Sequence, residues 1–361
     1  MAEPRLHGPH RRQPRTFLRH LRKGADPVSR ILITGASGSL GSAFARDRID
    51  AGDDVVALLK PGEGPGGLVR HAGRYETRYA DIRDPRGLRE AVRGIDEIYH
   101  FAGVAVTLNR LHSVMEEINV RGVGNIVRAA GEEGVRRVVH ASSISAIGYP
   151  PRGELADEDF DVVRTVTRNS YMLTKRAGER EALRAAEESG AEVVFVNLGA
   201  VIAPYSHPRY GWAMLVDTAR RGKLIGYPPG GVSMCAVEDM LHGMRAAMTK
   251  GRPGRRYIVS SANLTYRELC AQICRAVGSR EPRFAVPGPL IRAAGRLGAV
   301  LGVFSRDPMR SPFVVPENTA LMVNHLYYDT TRAQNELGLR HTPLHESIVA
   351  VDRWLAEGPA H

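Results

Sequence analysis

The run RILITGASGSLGSAFARDRIDAGDDVVALLK, residues 30–60, narrows the fold more than any other stretch of the chain. ILIT is short, apolar and β-branched, as a buried strand is. A glycine-rich turn follows at once. SLGSAFARDRIDAG then reads as a helix ending at Gly52, and DVVALL as a second strand. Gly35, Gly38 and Gly41 therefore stand between strand and helix inside a βαβ unit. In that setting small residues and the free N–H groups of a helix N-terminus make room for a pyrophosphate; the same spacing elsewhere carries little information.

The rhythm continues. RYETRYADIRD reads as a strand ending near Asp81, DPRGLREAVRG as a helix and DEIYHFAG as a strand. SVMEEINVRGVGNIVRAAGEEG is a long helix, and VRRVVHASSISAIG a strand running into a Ser-rich turn. SYMLTKRAGEREALRAAEESG is a helix and AEVVFVNLGAV another strand. Strands that alternate with helices imply an α/β fold, a doubly wound parallel sheet of Rossmann type covered on both faces. Ligands of such sheets bind beyond the carboxyl ends of the strands, where every small or polar cluster just quoted falls. After about Val201 the rhythm weakens into Pro, Gly and aromatic loops, with VEDMLHGMRAAMTKG as a helix and RRYIVSS as a strand. The expected division is a Rossmann domain over 29–200, with 236–262 returning to it. A smaller, mainly helical C-terminal lobe for the substrate takes 201–235 and 263–361.

Charge sets residues 1–28 apart. The chain has a formal net charge of +11, and residues 1–30 carry eight Arg and Lys against two acids. That segment has no apolar run, so it reads as a basic disordered arm rather than a signal or a membrane span. No stretch elsewhere approaches the roughly 18 apolar residues of a membrane helix. With only Cys235, Cys270 and Cys274, no metal-ligand spacing arises, and buried free thiols in a reducing, cytoplasmic setting are expected. Nucleic acid is not expected as a partner, because the arm lacks aromatic interleaving and any known module.

Several motifs fall in one order: TGASGSLG (34–41), ADIRD (80–84), HFAG (100–103), NVRG (119–122), HASSISAIG (140–148) and YMLTK (171–175). Together they resemble the extended short-chain dehydrogenase/reductase family, also called the NAD-dependent epimerase/dehydratase family, over roughly residues 30–355. The C-terminal pieces GRPGRRYIVSSANLTYREL and YYDTTRAQNELGLRHTPLHESIVAVDRWL look most like its dihydroflavonol-reductase-like and 3β-hydroxysteroid-dehydrogenase-like branch.

The resemblance implies a hydride-transferring enzyme with catalytic Ser143, Tyr171 and Lys175. Tyr171 and Lys175 lie about one helical turn apart, and a neighbouring ammonium is expected to lower the phenol's pKa from its ordinary value near 10. Ser142 and Ser145 are rivals for the role given to Ser143. Asn119 matches a helix Asn that holds a water relay in related enzymes, and a structural bond to a neighbouring strand is the alternative. Cofactor contacts are expected from Gly35, Ser37, Gly38, Ser39, Leu40 and Gly41, from Lys60, Asp81 and Ile82, from Ala102, Gly103 and Ser142, from Lys175, and from Leu198, Gly199 and Val201. The acid usual at the end of the second strand is missing near Leu59, and Lys60 follows, so NADP(H) is favoured with NAD(H) as the alternative.

Departures from the family pattern bear on the reaction. Ile144 and Ser145 stand where sugar dehydratases carry Asp-Glu, and Asn197 and Leu198 replace an Arg-Pro pair. A diphosphate-linked sugar would need Arg209, Arg220 or Arg221 in place of the usual Arg. The expected activity is reduction of a ketone or aldehyde of a small or medium organic substrate, or the reverse oxidation of an alcohol. A sugar epimerase and a non-catalytic cofactor-binding sensor are the alternatives. Specificity would lie in loops 104–112, 149–168 and 203–234, and a homodimer would pair the helices over 113–133 and 170–189.

Overall fold

A computed structural model describes residues 29–205, 211–303 and 314–358. The basic arm, Arg209 and part of the loop 203–234 lie outside the described residues. The chain begins β1 (Arg30–Thr34), α1 (Ser39–Asp50), β2 (Asp54–Leu59), β3 (Glu76–Tyr79), α2 (Pro85–Val92) and β4 (Glu97–His100). A helical run follows, made of α3 (His112–Met115), a π-helical turn (Glu116–Arg121) and α4 (Gly122–Glu132). Next come β5 (Arg137–Ser143), α5 (Ile144–Ile147), β6 (Leu155–Ala156), α6 (Ser170–Ser189), β7 (Glu192–Leu198) and β8 (Ala200–Ile202). The remainder is α7 (Ala213–Arg220), β9 (Gly226–Tyr227), β10 (Gly231–Ala236), α8 (Val237–Lys250), β11 (Arg256–Val259), β12 (Ala262–Thr265), α9 (Tyr266–Ala276), β13 (Phe284–Ala285), α10 (Gly288–Val303), α11 (Pro316–Met322), β14 (His325–Tyr328), α12 (Thr331–Leu337) and α13 (His345–Glu357).

Seven of these strands form one sheet in the order β11-β7-β5-β4-β1-β2-β3, every pair parallel. The alternation of strand side chains feeds two cores, which is why ILIT is apolar throughout. Leu32, Val56, Leu58, Ile98, Val138 and Phe195 face one cluster. Ile31, Ile33, Val55, Ala57, Val139 and Val196 face the other. Successive strands are added outward in one sense from β1 through β2 to β3 and in the other from β4 onward, and the crevice at that switch point between β1 and β4 is where a doubly wound sheet binds its ligand.

Helix α6 has clear punctuation. Asn169 caps it by accepting from Met172 N at 2.8 Å, and Gly190 ends it in the left-handed region at φ 78°. These two residues fix where the helix begins, and so fix the height of Tyr171 and Lys175 against the strand ends.

The C-terminal region holds more strand than its sequence suggests. A second sheet runs β12-β10-β14-β6, with β8 also pairing β10. Its members are two to six residues long and come from as far apart as Leu155 and Tyr328. Strands this short show no readable period, and they form because distant partners meet. Gly199 is the point of transfer between the sheets. A Cβ there would lie 2.9 Å from Ser233 O and from Ser260 Cβ, so only glycine lets the chain step from β7 to β8.

Candidate active site

The glycine turn is a cradle built from backbone. Gly35 sits at φ 64°, and a Cβ on it would fall 2.7 Å from Ala102 N. A Cβ on Gly41 would fall 2.1 Å from Gly35 O. Gly38 starts α1 with no side-chain cap, and the first turn carries no acid. The free N–H groups and the positive dipole end therefore face outward, as a pyrophosphate requires. Thr34 braces the cradle: its hydroxyl accepts from Ala102 N at 3.1 Å and pairs with His100 Nδ1 at 2.7 Å. These features fit a nicotinamide dinucleotide.

The flanking residues divide by what holds them. Ser39 donates to Pro204 O at 3.0 Å, and Leu40 packs against the core. Ser37 donates to Glu63 Oε1 at 2.8 Å. Asp81 is clamped by Arg83, whose Nε and Nη2 approach to 3.0 and 2.6 Å; the hydrogen-bonded guanidinium holds its carboxyl down to about 2. Ile82 is buried and faces Gly122. Lys60 is exposed, and its charge acts on Asp81. Gly103 lies beside Asn119 Oδ1, Leu198 and Gly199 are buried, and Val201 packs partly into the core.

Across the crevice, the three candidate serines separate. Ser143 caps α5 by accepting from Ser145 N at 3.1 Å, and its hydroxyl lies near enough to the Tyr171 phenol to favour the phenolate. Ser142 turns instead to the buried carboxylate of Glu179. Ser145 meets the Tyr149 phenol. Tyr171 is half-buried and, like Val104 and Val106, packs against the cluster of Leu108, Leu111, Met115 and Val315. Asn119, in the π-helical turn, spends its amide on the loop after β4: Nδ2 donates to Val104 O at 3.0 Å and Oδ1 accepts from Val104 N at 2.8 Å.

The acid/base balance differs from the expectation. Burial pushes the Tyr171 phenol up to about 12, opposed by the Ser143 hydrogen bond. Burial also lowers Lys175 to about 8, opposed by the charge of Glu179. Lys175 Nζ donates to Ala141 O at 3.0 Å and lies 3.3 Å from His140 Nε2. Its ammonium thus points along β5, and desolvation of the phenol outweighs any pull from it. The His140 ring stacks on His100 with centroids 5.1 Å apart. Burial keeps His140 far below the usual histidine range and takes His100 to about 3, so both rings stay neutral.

Two features went unread in the sequence. One is this histidine pair. The other is Glu179, fully buried, which accepts from Asn197 Nδ2 at 2.7 Å and pairs with Arg256 Nε at 2.7 Å. Asn197 Nδ2 also donates to Ser143 O at 3.1 Å. The Asn that replaces the family's Arg therefore ties the Ser143 backbone to α6. The one available signal was spacing: Glu179 follows Lys175 by four residues, as Lys175 follows Tyr171.

Bare N–H groups at the end of β1 and a phenol and an ammonium on α6 beside β5 suit chemistry on a bound dinucleotide, the work of Rossmann-type oxidoreductases. The chain belongs to the NAD dependent epimerase/dehydratase family, whose model matches residues 31–260. It is 28% identical over 334 residues to the sterol demethylase protein B of Methylococcus capsulatus, covering 90% of this chain and 98% of that one. A putative dihydroflavonol 4-reductase of Synechocystis is 26% identical over 330 residues, 89% of this chain and 93% of that one. Among solved structures, that of gox2253 superimposes with a TM-score of 0.75 at 24% identity, over 91% of this chain and 98% of that one. That likeness speaks for the fold alone. Among the described residues no helix is long and apolar enough to cross a membrane, and the three cysteines are free and buried.

Proposed function

We propose that the protein is a nicotinamide-dependent oxidoreductase that reduces the carbonyl of a largely apolar organic substrate, or oxidises the corresponding alcohol, through Ser143, Tyr171 and Lys175. The observation that carries this reading is the Ser143 hydroxyl beside the Tyr171 phenol, with Tyr171 packed against the apolar cluster of Leu108, Leu111, Met115 and Val315. A bound nicotinamide supplies or takes up the hydride. The chain's part is positioning and proton transfer. The Ser143 hydroxyl holds the substrate oxygen, and Tyr171 gives its proton to that oxygen as negative charge develops there. A phenol kept protonated at neutral pH is the form that reduction needs. By the family resemblance, Lys175, one turn along the same helix face, would hold the nicotinamide ribose.

An apolar substrate is in keeping with relatives named for sterols and dihydroflavonols. A diphosphate-linked sugar finds less support, since Arg220 is paired with Asp352 and Arg221 with Asp217. The test is net turnover. Reduced cofactor should be consumed one-for-one with an apolar ketone, and Tyr171→Phe should lower kcat by about 10²–10⁴-fold with cofactor binding retained. Wild-type turnover by Tyr171→Phe would sink the reading. Conversion of a nucleotide sugar without net cofactor use would replace it with the epimerase.

A further inference from the structure

Resting on the reading that the glycine cradle binds a nicotinamide dinucleotide, we infer that Glu63 selects which dinucleotide is taken: it favours the cofactor with a free adenosine ribose, NAD(H), and excludes the one phosphorylated there. This reverses the expectation drawn from Lys60.

The argument starts from a turn. Lys60-Pro61-Gly62-Glu63 follows β2 directly, and Glu63 N donates to Lys60 O at 2.9 Å. Pro at the second position and Gly62 at φ 83° in the third are what a type II turn demands. The turn folds the Glu63 side chain back over the strand end. There Oε1 accepts from the Ser37 hydroxyl at 2.8 Å and Oε2 accepts from Lys60 N at 3.1 Å. The arm that follows is pressed on the glycine turn, since a Cβ on Gly66 would lie 2.2 Å from Ser37 O.

The end of the second strand, beside the glycine turn, is where a Rossmann fold meets the adenosine ribose. Two donors there, the Ser37 hydroxyl of the turn and the Lys60 backbone N–H, are of the kind a ribose phosphate could use. Both are already given to a carboxylate. A phosphate would have to displace Glu63 or sit against a like charge. Ribose hydroxyls, as donors, meet an acceptor instead. Three neighbouring guanidinium groups are already engaged, Arg70 among them through its ion pair with Glu357. Arg83 is clamped on Asp81, and Arg46 lies over the Tyr205 ring 4.2 Å from its centroid while donating to Gly67 O.

The experiment is a calorimetric or fluorescence titration of NADH and NADPH at one ionic strength on wild type, Glu63→Gln and Lys60→Ala. Glu63 is exposed, so its substitution leaves the fold intact. Wild type should bind NADH at least roughly tenfold more tightly than NADPH, and Glu63→Gln should move that ratio toward NADPH by roughly tenfold or more. Lys60→Ala should leave the ratio within about threefold. A wild-type preference for NADPH, a ratio unmoved by Glu63→Gln, or a selective loss of NADPH in Lys60→Ala overturns the inference alone. Failure to bind either cofactor overturns it together with the dinucleotide reading.

Discussion

The two sides of the crevice are made of different material. The glycine cradle is backbone: its shape comes from Gly35 at positive φ, from Gly41 against Gly35 O, and from the uncapped start of α1. The opposite side is made of side chains reaching between elements, from β5, β7 and β11 to α6, with Glu179 as the buried hub. A backbone site depends on the absence of atoms and fails when any are added. A side-chain site depends on each partner and fails when one is removed. The cradle should therefore be sensitive in binding, and the hub in stability and alignment.

The first test that sharpens this contrast is at Gly41. Gly41→Ala places a methyl against a backbone oxygen that cannot swing away, and cofactor affinity should fall roughly a hundredfold while the circular dichroism spectrum is kept. Near-wild-type binding by that variant would break the contrast. Next comes Glu179→Ala. It strips Asn197 and Ser142 of an acceptor and leaves Arg256 unpaired, and should cost about 2–4 kcal/mol in urea unfolding, with kcat falling through loss of the Asn197–Ser143 tie. Loss of cofactor affinity without loss of stability would contradict the hub.

A third test is a pH dependence. Burial takes Lys175 from 10.5 to about 8, so between those values the folded chain binds fewer protons than the unfolded one. Stability contributed by this group thus rises with pH across that window, and its deficit is fully present below it. Without added cofactor, the wild type should gain on Lys175→Met from pH 8 to pH 10.5, by at most about 3 kcal/mol. The neutral His140 and the still-protonated Tyr171 do not titrate there. A flat difference between the two proteins would mean the ammonium is solvated.

Legibility followed the same division. The seven parallel strands and their helices were readable because apolar runs and glycine or Asn punctuation are local. The second sheet was not, because strands as short as Leu155–Ala156 carry no period and exist only through pairing with residues such as Tyr327 and Tyr328. The contact of Glu63 with Ser37 is not legible in the sequence, because it depends on how the turn that starts at Lys60 folds back.

By itself, then, the sequence determined the βαβ order, the glycine turn at a strand end, and the pairing of Tyr171 with Lys175 on one helix face, since each follows from backbone geometry over a few residues. The tertiary structure alone decided which of three serines meets Tyr171, what Asn119 and Asn197 hold, and that burial would raise the phenol and lower the ammonium. The reason is physical: one residue along a strand turns a side chain to the other face, and the solvation of a charge depends on everything packed around it.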